Sequence, residues 1–339
     1  MSISFEFVGN HFPIGRVVTP FHSLNHALRD TNSNEIGFPI RTLVEAYGNT
    51  GIGKSTFTTS LASYISQALD NLEIAYLDLE GQDENMITKA LSTSGYDASK
   101  FRWVEISKGK PTDEKLLGAL LDTLLEEPPC IGILDSVAEI SPVSEIEGEI
   151  GDANMGRRAF PMAQFTRQVT RALRMIELPT VMFMINHMYE KMGAMGGAKV
   201  YTAPGGTVKE NLAKLRLEMK VPYVDYLSSG DGKTEARFEN GWVLQGKVAK
   251  NRSGAKNEIF QVFIYGGWGI HTGMTALVDC LASGLAAIKT GKVAMDGQDF
   301  GHLKKIVENK RDDVEFFLPF QNALRVPVDT ESNQVDEEE

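Results

Sequence analysis

Gly48-Asn49-Thr50-Gly51-Ile52-Gly53-Lys54-Ser55, with Thr56 following, fills every fixed position of the pattern G-x-x-x-x-G-K-[ST]. In such a loop successive backbone N–H groups face a polyphosphate, the lysine reaches the β/γ oxygens and the hydroxyl ligates Mg²⁺. The flanks agree with this reading. Thr42 to Tyr47 (TLVEAY) reads as a short apolar strand entering the loop, and Phe57, Leu61, Ile65 and Leu69 follow at helical spacing. Strand, glycine loop and helix N-terminus together form an anion site, because first-turn N–H groups lack partners and the helix dipole favours negative charge. A polyphosphate with Mg²⁺ is therefore the expected ligand pair. The bland alternative is a Gly-rich turn that happens to contain Lys-Ser.

The alternation of strand and helix continues downstream. Leu72 to Asp78 is an apolar strand ending in an acid, Glu84 to Ser94 a helix, and Phe101 to Ile106 another strand. Leu116, Leu117, Leu120, Leu121, Leu124 and Leu125 make one apolar helical face, read as core. Pro128 and Pro129 stop that helix before the strand Ile131 to Asp135. Beyond Pro161, Met162 to Glu177 is helical, and Thr180 to Asn186 is a fourth central strand. Strands this apolar, separated by helices, imply a parallel sheet covered on both faces, hence an α/β P-loop core. Leu212 to Met219, Val243 to Ala249 and Ile259 to Tyr265 alternate instead, as antiparallel strands extending the sheet would. From Gly273 the pattern turns helical again, through Leu277 to Ile288 and Phe300 to Phe317.

The totals narrow the class. The 339 residues carry 42% hydrophobic and 23% charged side chains, with no apolar run of the 18 or more residues a membrane span needs, so no membrane role is expected. Met1-Ser-Ile-Ser-Phe-Glu-Phe lacks the basic and apolar regions of a secretory signal, and Cys130 and Cys280 are too few for a disulfide framework. A reducing, cytoplasmic setting follows as the expectation. The net charge of −11 is uneven: Asp329 to Glu339 is an acidic stretch without a basic residue, whereas Arg157 to Lys220 is basic on balance. The acidic end reads as a solvated tail, and the middle remains a candidate phosphate-binding surface.

A phosphate loop needs a second acid to support Mg²⁺, and Asp135 at the end of its apolar strand is the candidate beside Ser55. Glu80, in Leu77-Asp-Leu-Glu80, falls on the same carboxyl edge of a parallel sheet and is the candidate general base; the alternative for it is a helix N-cap or surface turn.

From Leu134 to Gly156 (LDSVAEISPVSEIEGEIGDANMG) the chain closely resembles the segment of bacterial RecA recombinases that runs from the Walker B strand into the first DNA-binding loop. The resemblance covers about Phe21 to Gly273. It includes Gly37-Phe-Pro-Ile-Arg41, Asp78-x-Glu80, the strand end Ile185-Asn-His187, Gly205-Gly206 and Lys250-Asn-Arg252. The run Ile185 to Glu190 is more similar to the phage UvsX branch. The resemblance narrows the ligand pair to ATP with Mg²⁺ and implies an ATPase that forms helical filaments on single-stranded DNA, pairs it with homologous duplex and exchanges strands, acting in recombination and repair with loader and single-strand-binding proteins. A nucleoid-associated location in a bacterial or phage-infected cell comes with it. It also implies roles for His187, as a link between the γ-phosphate and the second DNA loop, and for Lys250 and Arg252, as residues reaching the ATP of an adjacent subunit.

Loop one, about Glu147 to Arg158, gathers Met155, Arg157 and Arg158 with glycines, and Arg167 lies on the helix beyond it. Loop two, His187 to Gly206, carries Lys191, Met192, Met195, Lys199, Gly205 and Gly206. Sequence-independent binding of a single strand wants cations for phosphates, apolar wedges for bases and glycine for close approach. Both loops offer all three. The chain departs from the family at Ile87, where many relatives place an adenine-stacking tyrosine, and at Glu210 and Asn211, where RecA has Lys-Phe at the subunit interface. Two other readings share the nucleotide site: a hexameric RecA-fold helicase and a non-catalytic recombination mediator. The expected organisation is an N-terminal arm over 1–20, a core over 21–272, a small helical region over 273–328 and an acidic tail over 329–339.

Overall fold

A computed structural model of the chain describes residues 15–105, 112–126, 130–141, 143, 159–175, 179–190, 201–202, 206–221, 237–238 and 240–325. The acidic tail and residues 1–14 of the arm lie outside them. The strands are β1 (Arg16–Val17), β2 (Phe38–Pro39), β3 (Thr42–Gly48), β4 (Glu73–Asp78), β5 (Phe101–Trp103), β6 (Cys130–Asp135), β7 (Val181–His187), β8 (Tyr189–Glu190), β9 (Tyr201–Thr202), β10 (Leu215–Lys220), β11 (Arg237–Phe238), β12 (Gly241–Asn251), β13 (Ile259–Tyr265), β14 (Gly269–Ile270), β15 (Ala286–Lys289), β16 (Lys292–Met295) and β17 (Gln298–His302). The helices are α1 (His22–Ala27), α2 (Lys54–Ala68), α3 (Glu84–Ser92), α4 (Asp113–Leu125), α5 (Ala159–Met175), α6 (Gly206–Leu212), α7 (Thr272–Ala282), α8 (Leu303–Asn309) and α9 (Val314–Ala323).

One sheet organises the molecule, in the order β5-β4-β6-β7-β3-β10-β12-β13-β14, with β11 on β12. β5 through β10 are parallel, and β12, β13 and β14 continue antiparallel. The α/β core is thus as expected, with one correction: β10 pairs parallel with β3 and only its other edge is antiparallel, to β12. It is the strand at which the sheet changes sense. A short helix, α6, also occupies the residues just before it.

The sheet is covered on both faces because alternate residues of each strand point opposite ways. Val181, Phe183 and Ile185 of β7 join Phe57, Leu61 and Ile65 of α2 in one cluster. Met182 and Met184 join Leu117, Leu120 and Leu124 of α4 and Phe165 and Val169 of α5 in the other. Helix α5 begins before Pro161, not after it; a proline in the first turn costs nothing, since its missing N–H would have had no helical partner.

The C-terminal region is not purely helical. Between α7 and α8 the chain forms the antiparallel sheet β15-β16-β17. Each of its connections has two residues, Thr290-Gly291 and Asp296-Gly297, all at positive φ, the geometry that matches strand twist in tight hairpins. Gly284 (φ +78) ends α7 well short of Ile288. This region shares a core with the main sheet, since Val243, Phe263 and Tyr265 pack with Leu277, Phe317 and Phe320. Residues 15–20 also pack on their own domain. Arg16, 4% exposed, donates to the carbonyls of Leu28 (2.5 Å) and Gly37 (2.9 Å) and bonds Asp30 and Ser253.

Candidate nucleotide site

Four adjacent parallel strands, β4, β6, β7 and β3, end on one edge and deliver the site. Register sets the relative heights: Gly48 stands opposite His187, and Asp78 opposite Asp135. The Leu79 N–H donates to the Asp135 carbonyl at 2.6 Å and the Met188 N–H to the Gly48 carbonyl at 3.1 Å, carrying the ladder to the rim. Gly48 is required sterically, because a Cβ there would stand 2.3 Å from the Met219 carbonyl oxygen of β10. Gly53 (φ +97) precedes α2, whose N-terminus has no side-chain cap, so the first-turn N–H groups of Lys54, Ser55 and Thr56 are presented as an anion site.

The predicted catalytic residues of the phosphate loop and the strand ends converge. Lys54 Nζ donates to the Asn49 carbonyl at 2.8 Å and lies 3.2 Å from His187 Nδ1, which is also 3.2 Å from Thr50 Oγ1. His187 Nε2 lies 3.4 Å from Glu80 Oε2. Burial pushes the Lys54 ammonium down to about 8, with Glu80 and Asp135 opposing the shift. Burial and the neighbouring Lys54 lower His187 as well, which keeps its ring neutral. Asp78 sits beneath Glu80 and accepts from the backbone N–H groups of Glu80 (2.9 Å), Gly81 (2.9 Å) and Gln82 (2.6 Å). It therefore fixes the turn that carries the base candidate, a role its bare position on the edge did not reveal.

Asp135 is fully buried, and Tyr76 OH donates to its Oδ2 at 2.6 Å. Its Oδ1 is buried without a hydrogen-bond partner. Burial raises this carboxyl to about 6, while Ser55 and Tyr76 oppose the rise. An unsatisfied acid oxygen beside a hydroxyl is what a hard cation would satisfy, so Ser55 and Asp135 fit Mg²⁺. Among the described residues no three His, Cys, Asp or Glu side chains group as a metal centre, so such a cation would be shared with phosphate oxygens.

A buried ionic cluster lies behind the site. Glu45, inside β3 and wholly buried, accepts from Lys209 Nζ (2.5 Å), Arg216 Nε (2.6 Å) and Asn186 Nδ2 (2.8 Å), and Asn186 Oδ1 accepts from the His187 N–H at 3.0 Å. Burial alone would raise Glu45, but Lys209 and Arg216 hold it below its usual value. The sequence reading passed over this cluster. A glutamate within an otherwise apolar strand was the available signal, because a buried carboxylate needs cationic partners.

Lys250 and Arg252 are not brought to this edge. β12 runs antiparallel, so Lys250 stands opposite Arg216, level with Glu45. That is three residues, about 10 Å, back from Gly48 and two strands, about 10 Å, across. Lys250 Nζ donates to the carbonyls of Glu210 (2.6 Å) and Asn211 (2.8 Å), and Arg252 to that of Asn211 (2.5 Å), at the C-terminal end of α6. Gly206 opens α6, and Arg167 is exposed on α5 in a row with Arg171 and Arg174. Met155, Arg157, Arg158, Lys191, Met192, Met195, Lys199 and Gly205 lie outside the described residues.

Residues 21–259 match the family described as RecA N-terminal domain. Over 234 residues the chain is 29% identical to Protein RecA of Lactococcus lactis subsp. cremoris, covering 69% of this chain and 56% of that protein. It is 29% identical to Protein RecA of Lactobacillus acidophilus over 239 residues (69% and 59%) and 30% identical to that of Streptomyces coelicolor over 185 residues (54% and 46%). The chain thus spans about half the length of these relatives. With the phosphate loop at the end of β3, acids closing β4 and β6, and well over half of its length matched, the chain belongs to the RecA family.

Proposed function

We propose that this protein is a DNA-dependent ATPase that assembles as a helical filament on single-stranded DNA and promotes homologous pairing and strand exchange. The observation carrying this reading is the separation of two sets of residues on the sheet. Lys54, Ser55, Glu80, Asp135 and His187 share one edge, whereas Lys250, level with Glu45, and Arg252 beyond it stand back from that edge and two strands across, out of reach of their own phosphate loop. Basic side chains so placed can complete only a neighbour's site, and head-to-tail repetition of that contact gives a filament.

In hydrolysis, the first-turn N–H groups of α2 and Lys54 bind and orient the phosphates. Glu80, held by the Asp78 turn, takes the proton from the attacking water. Mg²⁺, held by Ser55 and Asp135, would neutralise charge on the phosphates. His187 connects this chemistry to loop two, which begins at its own residue. Loops one and two, with Arg157, Arg158, Lys191, Lys199 and Arg167 as phosphate contacts and Met155, Met192 and Met195 as wedges, are assigned to DNA.

ATP turnover with and without single-stranded DNA, combined with electron microscopy, tests the proposal. Stimulated turnover and extended filaments are expected. Closed rings that unwind duplex without exchanging strands would establish the helicase reading instead, and absence of turnover with intact ATP binding would establish the mediator.

A further inference from the structure

Trp242 overhangs the nucleotide edge for the same topological reason that Lys250 does not. β12 runs against β10, so its first residues project beyond Lys220, which pairs with Gln245, to the phosphate loop. There the Trp242 indole N–H donates to the Ile52 carbonyl at 3.0 Å. Its ring edge would lie 2.9 Å from a Cβ on Gly53, and on its other side 3.8 Å from a Cβ on Gly266. The side chain therefore lies packed against the loop backbone at Gly53, where the absence of a Cβ lets the ring approach, with its inner part against the main core. Trp242 is half-buried. Ile87, by contrast, is 1% exposed and packed in the core with Phe57 and Leu91, so it has no face to offer a ligand.

We propose that Trp242 is the nucleobase-binding residue of this site, clamping Ile52–Gly53 through its N–H while its ring stacks on the base of the bound nucleoside triphosphate. The proposal rests on the nucleotide reading above and adds the base platform to it. A flat aromatic face is sequence-tolerant toward bases, so this arrangement selects nucleotides over bare polyphosphate more strongly than one base over another.

Titration of ATP and of inorganic tripolyphosphate, both with Mg²⁺, against wild type, Trp242→Leu and Trp242→Phe separates the two functions of the side chain. Trp242→Leu should weaken ATP roughly tenfold relative to its effect on tripolyphosphate, the scale of one lost stacking contact. Trp242→Phe, which lacks the N–H but keeps a ring, should retain most of the preference for ATP. A direct readout needs no substitution at the site. The chain has three tryptophans, and in a Trp103→Phe/Trp268→Phe variant the remaining emission should respond to ATP and not to tripolyphosphate. Equal losses for both ligands in Trp242→Leu, or equal emission responses, would overturn the stacking role while leaving the phosphate site intact. Wild-type protein that binds neither ligand would overturn the nucleotide reading itself, and this proposal with it.

Discussion

Lys54 Nζ donates to His187 Nδ1 across 3.2 Å, so the imidazole must carry its proton on Nε2, which faces Glu80 Oε2 at 3.4 Å. A cation, a neutral ring and the Glu80 carboxyl group thus form one chain. Burial has already brought the Lys54 ammonium down to about 8. Polyphosphate binding restores the charged form, so above pH 8 each binding event must take up a proton. Affinity for tripolyphosphate should then fall as pH rises past 8, approaching tenfold per unit for a one-proton uptake. Titration calorimetry in two buffers of different ionisation enthalpy checks this; pH-independent affinity between 7 and 9.5 would show that Lys54 stays charged.

Glu80→Gln should bind ATP and hydrolyse it about 10² to 10⁴ times more slowly, the usual cost of a lost general base. Asp78→Ala removes the acceptor of three backbone N–H groups and leaves Glu80 in place but loosely held. Its turnover should drop by about tenfold with tripolyphosphate binding unchanged. Wild-type turnover in Glu80→Gln would remove Glu80 from the role of base.

Lys250 and Arg252 cap α6 in the single chain. If they act on a neighbour's ATP, Lys250→Ala should bind ATP normally and lose DNA-stimulated turnover. Mixed with Lys54→Ala, it should regain part of that activity, since each variant supplies what the other lacks. Mixed filaments of folded, DNA-bound subunits that show no recovery would leave helix capping as the function of Lys250.

The cluster around Glu45 predicts an asymmetry. Glu45→Gln strands the fully buried Lys209 ammonium, while the half-buried Arg216 keeps Glu210, and should cost about 3–5 kcal/mol. Lys209→Met leaves Glu45 paired with Arg216 and bonded to Asn186, and should cost about 1 kcal/mol or less. Urea midpoints decide; equal losses would mean that the cluster is not the unit described.

Asp279 lies buried in α7, where its carboxylate accepts from the Ser23 N–H at 3.0 Å and its second oxygen has no hydrogen-bond partner. Burial raises it to about 6, against 3.8 unperturbed. The folded state therefore holds the proton more tightly than the unfolded one, and the stability so gained is lost as pH rises from about 4 through 6. Asp279→Asn should stabilise the protein by about 1–2 kcal/mol at pH 7 and give little gain at pH 4. A melting-temperature difference independent of pH would contradict this.

The fold was legible where its signals are local. Glycines and Lys-Ser at the ends of β3 and α2, unbroken apolar strands and a 3.6-residue leucine stripe depend on neighbours a few positions away, so they identified the α/β core and placed the glycine loop, Glu80 and Asp135 as candidates on one edge of it. The hairpins β15 to β17 were equally local, since Thr290-Gly291 and Asp296-Gly297 announce them, and short exposed strands beside Phe300 and Phe317 resembled helix only in composition.

What the chain in one dimension left open is everything set by strand order and sense. Alternation along β10 and β12 is the same whether they pair parallel or antiparallel, yet that choice puts Trp242 against Ile52 and carries Lys250 back to the level of Glu45. Likewise Glu45 meets Lys209 and Arg216 across more than 160 residues, where periodicity carries no information. Residue type and spacing thus determined the chemistry available at the nucleotide edge. Which of those residues meet, and that Lys250 and Arg252 stand apart from them, was decided by long-range hydrogen-bond register, because only paired strands convert separations of tens to hundreds of residues into contacts of 3 Å.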